Sequence, residues 1–477
     1  MIFSSSSFIL FLFALLGLYT QCRTPVQRAN VLLIASLIFY ASWKPIYLVL
    51  LITSLAVNYY LYSRLIENRS KALLILGVIA NLFLLGIFKY ATLFFETWIW
   101  LNFELGGGAQ ALPAWLDWAL PLGISFFTFQ MLSALIDVYR GQWDEKITFR
   151  QWCLYVSFFP QFIAGPIARA NELVDQLQVL HALKWVDLRA GAFIFAGGLI
   201  KKALFADNLA PLVEMLYSQP ESLDFTTAWI ATLAFALQIY FDFSGYSEMA
   251  IGLGRMFGIR LPRNFKHPYI SKNCSEFWHR WHMTLSRWLR DYLFIPLGGS
   301  RCSGQRTSIN LLITMVLGGL WHGAGWNFVF WGFLHGTYLI GHRGLKAFYV
   351  AIDLNSKFIL HRIVASLSPL FTFILICFTW VFFRAESFSD AWLISSAMLG
   401  IFQATGSPVE IRLYLQLIVF LSFILVFLEP VFERCFLKGF KHWPSVPFYI
   451  RGTAYASIAM TVHVLGGSTQ KFIYFDF

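Results

Sequence analysis

Four histidines hold the chemical interest of this 477-residue sequence. His322 and His335 lie in the apolar, glycine- and tryptophan-rich stretch "GGLWHGAGWNFVFWGFLHG" (318–336), and His279 and His282 lie in "CSEFWHRWHMTLSRWLRDYLF" (274–294). An imidazole surrounded by hydrocarbon needs a partner or a purpose, because burying an unpaired polar group costs about 2–7 kcal/mol. His322 stands between Trp321 and the small residues Gly323, Ala324 and Gly325, where backbones can approach closely or a helix can break. A neutral imidazole at such a point is a natural general base, since the reference pKa of about 6.5 lies near working pH. On a continuous helix His335 would fall roughly 220° around from His322. The two therefore need separate explanations, and Gly336 beside His335 suggests packing.

The segment 274–294 reads as an amphipathic helix. Trp278, Trp281, Leu285, Trp288 and Tyr292 recur at 3-4-3-4 spacing, and Arg280, Arg287, Arg290 and Asp291 take the other face, a pattern that suits a membrane interface. On that wheel His282 flanks the aromatic stripe and His279 falls among the arginines, so His282 is the one expected to face protein. Zinc normally takes three or four ligands, and nothing at ligand spacing accompanies the H-x-x-H pair, so no metal is expected. The six cysteines are scattered without a C-x-x-C pair.

The elements that must hold these residues are membrane helices. Hydrophobic residues make up 58% of the chain and charged ones only 13%. Runs such as 26–43, 46–62 and 72–88 are long enough to cross a hydrocarbon core of about 30 Å. We expect an all-α polytopic membrane protein with about eleven transmembrane helices in a single domain, 1–477, and the first apolar run (2–19) as a retained span rather than a secretion signal. Two stretches look re-entrant or broken: "FFPQFIAGPIAR" (158–169), and "YFDFSGYSEMAIG" (240–252), which brings Asp242, Ser244 and Glu248 to membrane depth. Irregular backbone there is tolerated only where protein or a water-filled cavity satisfies it, which points to an internal cavity.

Charge alternates along the connections. Arg23 and Arg28, then Arg64, Arg69 and Lys71, then Arg140, Lys146 and Arg150 mark one side, while the segment holding Glu96, Glu104 and Asp117 has no Lys or Arg. By the positive-inside rule the basic loops are cytoplasmic and the N-terminus is outside. Between positions 255 and 306 ten Lys/Arg face two acids, +8 of the chain's +11. Topology and anionic lipid account for such a segment, and it also suits a phosphate-bearing cytosolic substrate such as a coenzyme A thioester. Its interleaving with apolar sequence argues against nucleic acid.

Taken together, "FFPQFIAGPIAR", "QIYFDFSGYSEMAIGLGRMFGIRLPRNFKHPY" (238–269), "FWHRWHMTLSRWLRDYLFIPLGG" (277–299), "GGLWHGAGWNFVFWGFLHG" and the C-terminal "FIYFDF" (472–477) resemble the membrane-bound O-acyltransferase family, in particular its bacterial polysaccharide branch. The resemblance implies helices tilted around a thin central layer, with a funnel on each side meeting at a catalytic histidine. It matches that histidine to His322 and the family's second motif position to His282. It implies acyl transfer without a bound cofactor, with acetyl-coenzyme A as donor in the cytoplasmic funnel, His322 as general base and His282 orienting or polarising a reacting group. It further implies an inner-membrane location with a periplasmic partner of the SGNH-hydrolase type that esterifies a polysaccharide of the alginate, peptidoglycan or cellulose kind. Asp242, Asn264 and Arg280 fall in matching motifs as substrate-channel candidates, with a structural role favoured for Asp242 and Asn264. Tyr474 in the tail is a candidate acyl acceptor.

Other readings stay open at this stage. D-alanyl transfer to a teichoic-acid-like polymer would draw its donor from a carrier protein. A transporter or flippase for lipid-linked sugar would also use broken helices and buried polar groups, though no internal repeat supports it. A structural platform recruiting periplasmic enzymes would do no chemistry.

Overall fold

The computed structural model describes all residues except 107–110, 114–115, 117–119, 352–358, 403, 405, 407–408, 469 and 476–477. Among the described residues every regular element is helical. In chain order these are α1 (Ser6–Gln21), α2 (Pro25–Ala41), α3 (Ile46–Glu67), α4 (Lys71–Leu85), α5 (Ala91–Glu104), α6 (Ile124–Tyr139), α7 (Phe149–Ser157), α8 (Phe159–Phe162), α9 (Ala170–Gln178) and α10 (Trp185–Ile200). They continue as α11 (Asp207–Tyr217), α12 (Phe225–Met256), α13 (Cys274–Arg280), α14 (Met283–Leu289), α15 (Gly304–His322), α16 (Trp326–Ala351), α17 (Ile359–Arg384), α18 (Phe388–Met398), α19 (Leu413–His442) and α20 (Phe448–Leu465). A π-helical turn, Gly86–Tyr90, joins α4 to α5.

Among the described residues four stretches are long and apolar enough to cross a membrane, Ile46–Glu67, Lys71–Glu104, Ser366–Arg384 and Leu413–Cys435, and α1, α2 and α6 are shorter apolar helices. This is fewer than the count expected from sequence, for a physical reason. Hydropathy detects helices that face lipid, and the central helices carry polar residues that protein satisfies instead.

α12 is the central one, and it corrects an expectation. The stretch 240–252 is neither re-entrant nor broken but lies within one 32-residue helix, about 48 Å long at 1.5 Å per residue. Its glycines serve close packing rather than a break. A Cβ at Gly191 of α10 would stand 2.5 Å from the Gly252 carbonyl oxygen, and one at Gly252 would stand 2.6 Å from the Phe195 nitrogen. Only glycine lets these backbones approach so closely. The stretch 158–169 is short and irregular as expected, with α8 followed by turns, and it is buried almost throughout.

The segment 274–294 also differs from expectation. It is not one helix: α13 ends at Arg280, His282 takes a left-handed backbone (φ 42°), α14 follows, and a π turn spans Arg290–Phe294. The aromatic stripe Trp278, Trp281, Leu285, Trp288 and Tyr292 is buried in protein rather than at an interface. Trp288 stacks on Phe129 at 3.8 Å and donates its indole N–H to the Phe129 carbonyl.

The basic loops converge on one face. Arg28 donates to the Leu180 carbonyl, Arg140 to the Asp291 carbonyl, and Arg287 pairs with Glu172. Burial alone would raise the Asp291 carboxyl, but hydrogen bonds from Arg290 and Arg169 outweigh it and hold it below its ordinary value. Of the ten basic residues between 255 and 306, five are in ion pairs: Arg255, Arg263, Arg280, Arg287 and Arg290. Arg260, Lys266, Lys272, Arg301 and Arg306 are exposed. The charge open to an anionic partner is thus about half of what composition suggests.

Candidate active site

His322 is the last residue of α15, where Gly323 turns the chain out of the helix into extended backbone. α16 then returns antiparallel to α15, so the helix continuity assumed for the 220° separation does not hold. The hairpin closes tightly because Gly319 faces the Phe328 carbonyl and Gly332 faces the Met315 carbonyl, with no room for a Cβ at either. This pins His322 at a helix end deep in the protein. Its ring is boxed by Trp321 (4.9 Å between centroids), Trp331 (5.0 Å), Phe383 (5.4 Å) and Tyr474 (5.6 Å). Its Nδ1 is sealed from solvent without a protein partner.

His282 is fully buried at the break between α13 and α14. A left-handed backbone at a non-glycine residue costs about 1–3 kcal/mol and persists only where its surroundings impose it. Here the loop 263–269 does so: Met283 N–H donates to the Asn264 carbonyl (2.9 Å) and Lys266 N–H to the Arg280 carbonyl (2.9 Å). The same loop is clamped to α19 by the Arg263–Glu433 ion pair and by His267, whose ring lies 3.0 Å from Glu429 and 2.6 Å from Glu433.

Asn264 sets the chemistry of His282. The Thr284 backbone N–H, which can only donate, points at Asn264 Oδ1 (3.3 Å), and the Thr284 hydroxyl donates to the same oxygen (2.9 Å). Oδ1 is therefore the oxygen, and His282 Nδ1, at 3.1 Å, must carry the proton it donates there. The Nε2 of a neutral His282 then bears the lone pair, and it too is buried without a protein partner. Two imidazoles with unsatisfied buried nitrogens thus flank Trp321, whose ring contacts both (6.1 Å to His282).

The C-terminal tail reaches this point. Tyr474 packs on Phe243 (4.4 Å), which in turn meets the His282 ring (4.7 Å). Asp242 accounts for the docking. Its Oδ2 accepts the Ile473 N–H (2.8 Å), while Lys202 bridges Asp242 (2.8 Å) and Asp207 (2.7 Å) with all three side chains buried. Further along, Gly467 N–H donates to the Ala203 carbonyl and Asn208 to the Leu465 carbonyl. Asp242 therefore takes its structural role, that of tail anchor. Asp476 and Phe477 lie outside the described residues.

Two cavities lie against opposite halves of α12, each lined by neighbours of one histidine rather than by the histidine itself. One, about 1120 Å³, touches Phe235 and Gln238 in the N-terminal half, Phe328 and Phe383 beside His322, and Ile473 of the tail. The other, about 470 Å³, touches Ser244, Ser247 and Glu248 in the C-terminal half and Asn264, the partner of His282. Gln238 and Ser244 are six residues apart, about 9 Å along the helix.

The remaining candidates fall elsewhere. Arg280 makes an i,i+4 ion pair with Glu276 (2.6 Å) and is not among the residues lining either cavity, so the channel role expected for it finds no support. His279 is exposed, its ring nitrogen on the Ser275 carbonyl. His335 has one partner, the Trp278 indole, which donates to its Nδ1 at 3.2 Å, while its Nε2 is buried without one; it lines neither cavity. Among the described residues no three His, Cys, Asp or Glu gather at metal-binding distance.

Lys89 and Lys202 escape a reading of sequence motifs. Lys202 follows Lys201 in an otherwise apolar run, and Lys89 follows directly on the run 72–88; lysine at membrane depth was the available signal. Lys89 Nζ donates to the carbonyls of Trp321 (2.5 Å) and His322 (3.0 Å), and Tyr90 donates to the Leu320 carbonyl (3.0 Å).

A model of the membrane-bound O-acyltransferase family matches residues 143–352. The chain is 42% identical over 408 residues to a probable alginate O-acetylase of Azotobacter vinelandii, covering 83% of this chain and 78% of that protein. It is 38% identical over 417 residues to a peptidoglycan O-acetyltransferase of Helicobacter pylori, covering 80% and 76%. A teichoic acid D-alanyltransferase of Streptococcus thermophilus matches at 32% over 234 residues, 46% of this chain and 56% of that protein.

Proposed function

Because this chain belongs to the membrane-bound O-acyltransferase family, and is a multi-pass membrane O-acyltransferase, we propose that it acetylates an extracytoplasmic polysaccharide by passing an acetyl group across the inner membrane from acetyl-coenzyme A. The observation that carries this reading is the pair of cavities on opposite halves of α12, one lined by Phe383 and Ile473 next to His322 and Tyr474, the other by Asn264, the hydrogen-bond partner of His282; behind these linings His322 Nδ1 and His282 Nε2 have no protein partner. Unpaired buried nitrogens cost free energy in the resting protein, and a reacting substrate removes that cost.

In this proposal the donor thioester enters the cavity beside Asn264, on the half of α12 that ends among the basic loops. His322 takes the proton from an attacking hydroxyl, the oxygen bonds to the acyl carbon, and the carbon–sulfur bond breaks. The imidazolium then returns the proton to the thiolate, and coenzyme A leaves as the free thiol. In the tautomer held by Asn264, His282 accepts at Nε2. Of the two roles considered for it, orienting a donor group fits and polarising a carbonyl does not.

The Tyr474 hydroxyl is the first acceptor we propose, because its ring is 5.6 Å from that of His322 and its tail borders the larger cavity. A periplasmic SGNH-type partner then carries the acetyl group to the polymer. The shorter match to a D-alanyltransferase keeps an aminoacyl donor as the alternative to test.

The test is His322→Ala with labelled donor in membranes. We expect loss of labelled product from acetyl-coenzyme A at unchanged protein level and partner binding. Normal acetylation by the variant would end the catalytic assignment, and transfer only from an aminoacyl carrier would end the acetyl proposal.

A further inference from the structure

We propose that Lys89 is a positioning residue for acyl transfer, acting through the helix terminus that carries His322. It lies in the 34-residue apolar stretch Lys71–Glu104, yet it is 7% exposed and turned into the protein. The π-helical turn Gly86–Tyr90 accounts for that direction. One extra residue in the turn rotates Lys89 and Tyr90 toward α15, and such insertions recur at functional sites.

The last four carbonyls of any helix lack partners within it, and the helix dipole places partial negative charge there. At the end of α15 three successive carbonyls, Leu320, Trp321 and His322, receive donors from this one turn. Lys89 is the charged donor of the set, and it takes the carbonyl of His322 itself. Its ammonium also lies 5.8 Å from the centre of the Trp321 ring, the ring that contacts both histidines.

Among the described residues no carboxylate pairs with Lys89. Its buried ammonium is met by carbonyl dipoles and the face of Trp321, an arrangement far more expensive than an apolar side chain capable of filling the same space. Expense of that kind at a candidate catalytic residue is explained by what it positions. With His322 held by its own carbonyl, the ring cannot drift along or around the end of α15 while the hydroxyl and thioester approach.

The inference rests on the acyl-transfer reading. The experiment compares Lys89→Arg, Lys89→Gln and Lys89→Met in full-length protein with labelled acetyl-coenzyme A and the periplasmic acceptor system that allows turnover, measuring kcat, KM for the donor and thermal stability. We expect kcat to fall in the order wild type, Arg, Gln, Met, reaching about 100-fold for Met, the effect of an ångström-scale misplacement. KM should stay within about twofold, because donor contacts are untouched, and rescue by Arg should exceed that by Gln.

A flat kcat across the series would overturn the inference, as would losses that simply track the folded fraction. Should the Met variant not fold, the Arg and Gln variants decide: wild-type kcat in both overturns it. Wild-type protein inactive with acetyl-coenzyme A would instead strike the acyl-donor reading, which keeps the two failures distinct.

Discussion

Replacing Asn264 with leucine exchanges the amide for a branched aliphatic group with the same number of heavy atoms and tests whether the tautomer of His282 matters. Asn264 Oδ1 accepts from His282 Nδ1, the Thr284 hydroxyl and the Thr284 N–H, while the Asn264 backbone carbonyl, which holds Met283, survives the substitution. Without Oδ1 the buried Nδ1–H loses its acceptor, at a cost of about 1–3 kcal/mol. That same free energy is the bias keeping the proton on Nδ1 and the lone pair on Nε2. At 1.36 kcal/mol per factor of ten, its loss lowers the rate by about 5- to 150-fold. Asn264→Asp keeps an acceptor opposite Nδ1 and should retain more activity than Asn264→Leu. The assay is the initial rate of label transfer from acetyl-coenzyme A in membranes, normalised to folded protein by size-exclusion profile. Equal rates for the two variants, or a leucine variant at wild-type rate, would refute the reasoning.

Two further expectations concern the scaffold. Asp242→Leu leaves the Ile473 N–H without its acceptor and Lys202 with one carboxylate instead of two, so the tail should come free; carboxypeptidase should then trim the C-terminus of the variant faster than that of wild type, whose docked tail resists. Gly319→Val drives a Cβ into the Phe328 carbonyl and should abolish the monodisperse folded protein, whereas Gly17→Ala, with nothing within 4 Å, should leave the melting temperature unchanged or slightly raised.

Much of the candidate site was legible because its residue types violate the composition around them. His322 stands out beside a glycine run in an apolar stretch, and Asp242 stands out in another. The wheel drawn for 274–294 put His282 on the buried side, and His282 is buried, but the continuous helix behind that drawing does not exist. Trp278, Trp281 and Trp288 bury against protein that a one-dimensional pattern cannot display, so spacing suited to an interface turned out to mark the core. The stretch 240–252 misled in the opposite direction. Glycines that could break a helix instead let α10 and α12 touch, and only the partner helix distinguishes the two uses.

By itself the sequence determined the class of solvent this protein lives in, the alternation of basic and acidic connections along the chain, and the residue types able to move a proton at membrane depth. Those properties are local: each follows from composition or spacing within a few turns of chain. Which nitrogen of His282 bears the lone pair, that Lys89 grips the end of α15, and that a tail more than 150 residues downstream sets Tyr474 against His322 were decided by tertiary structure alone. Each depends on contacts between residues from 18 to 233 positions apart, and no local pattern specifies which distant donor meets which acceptor.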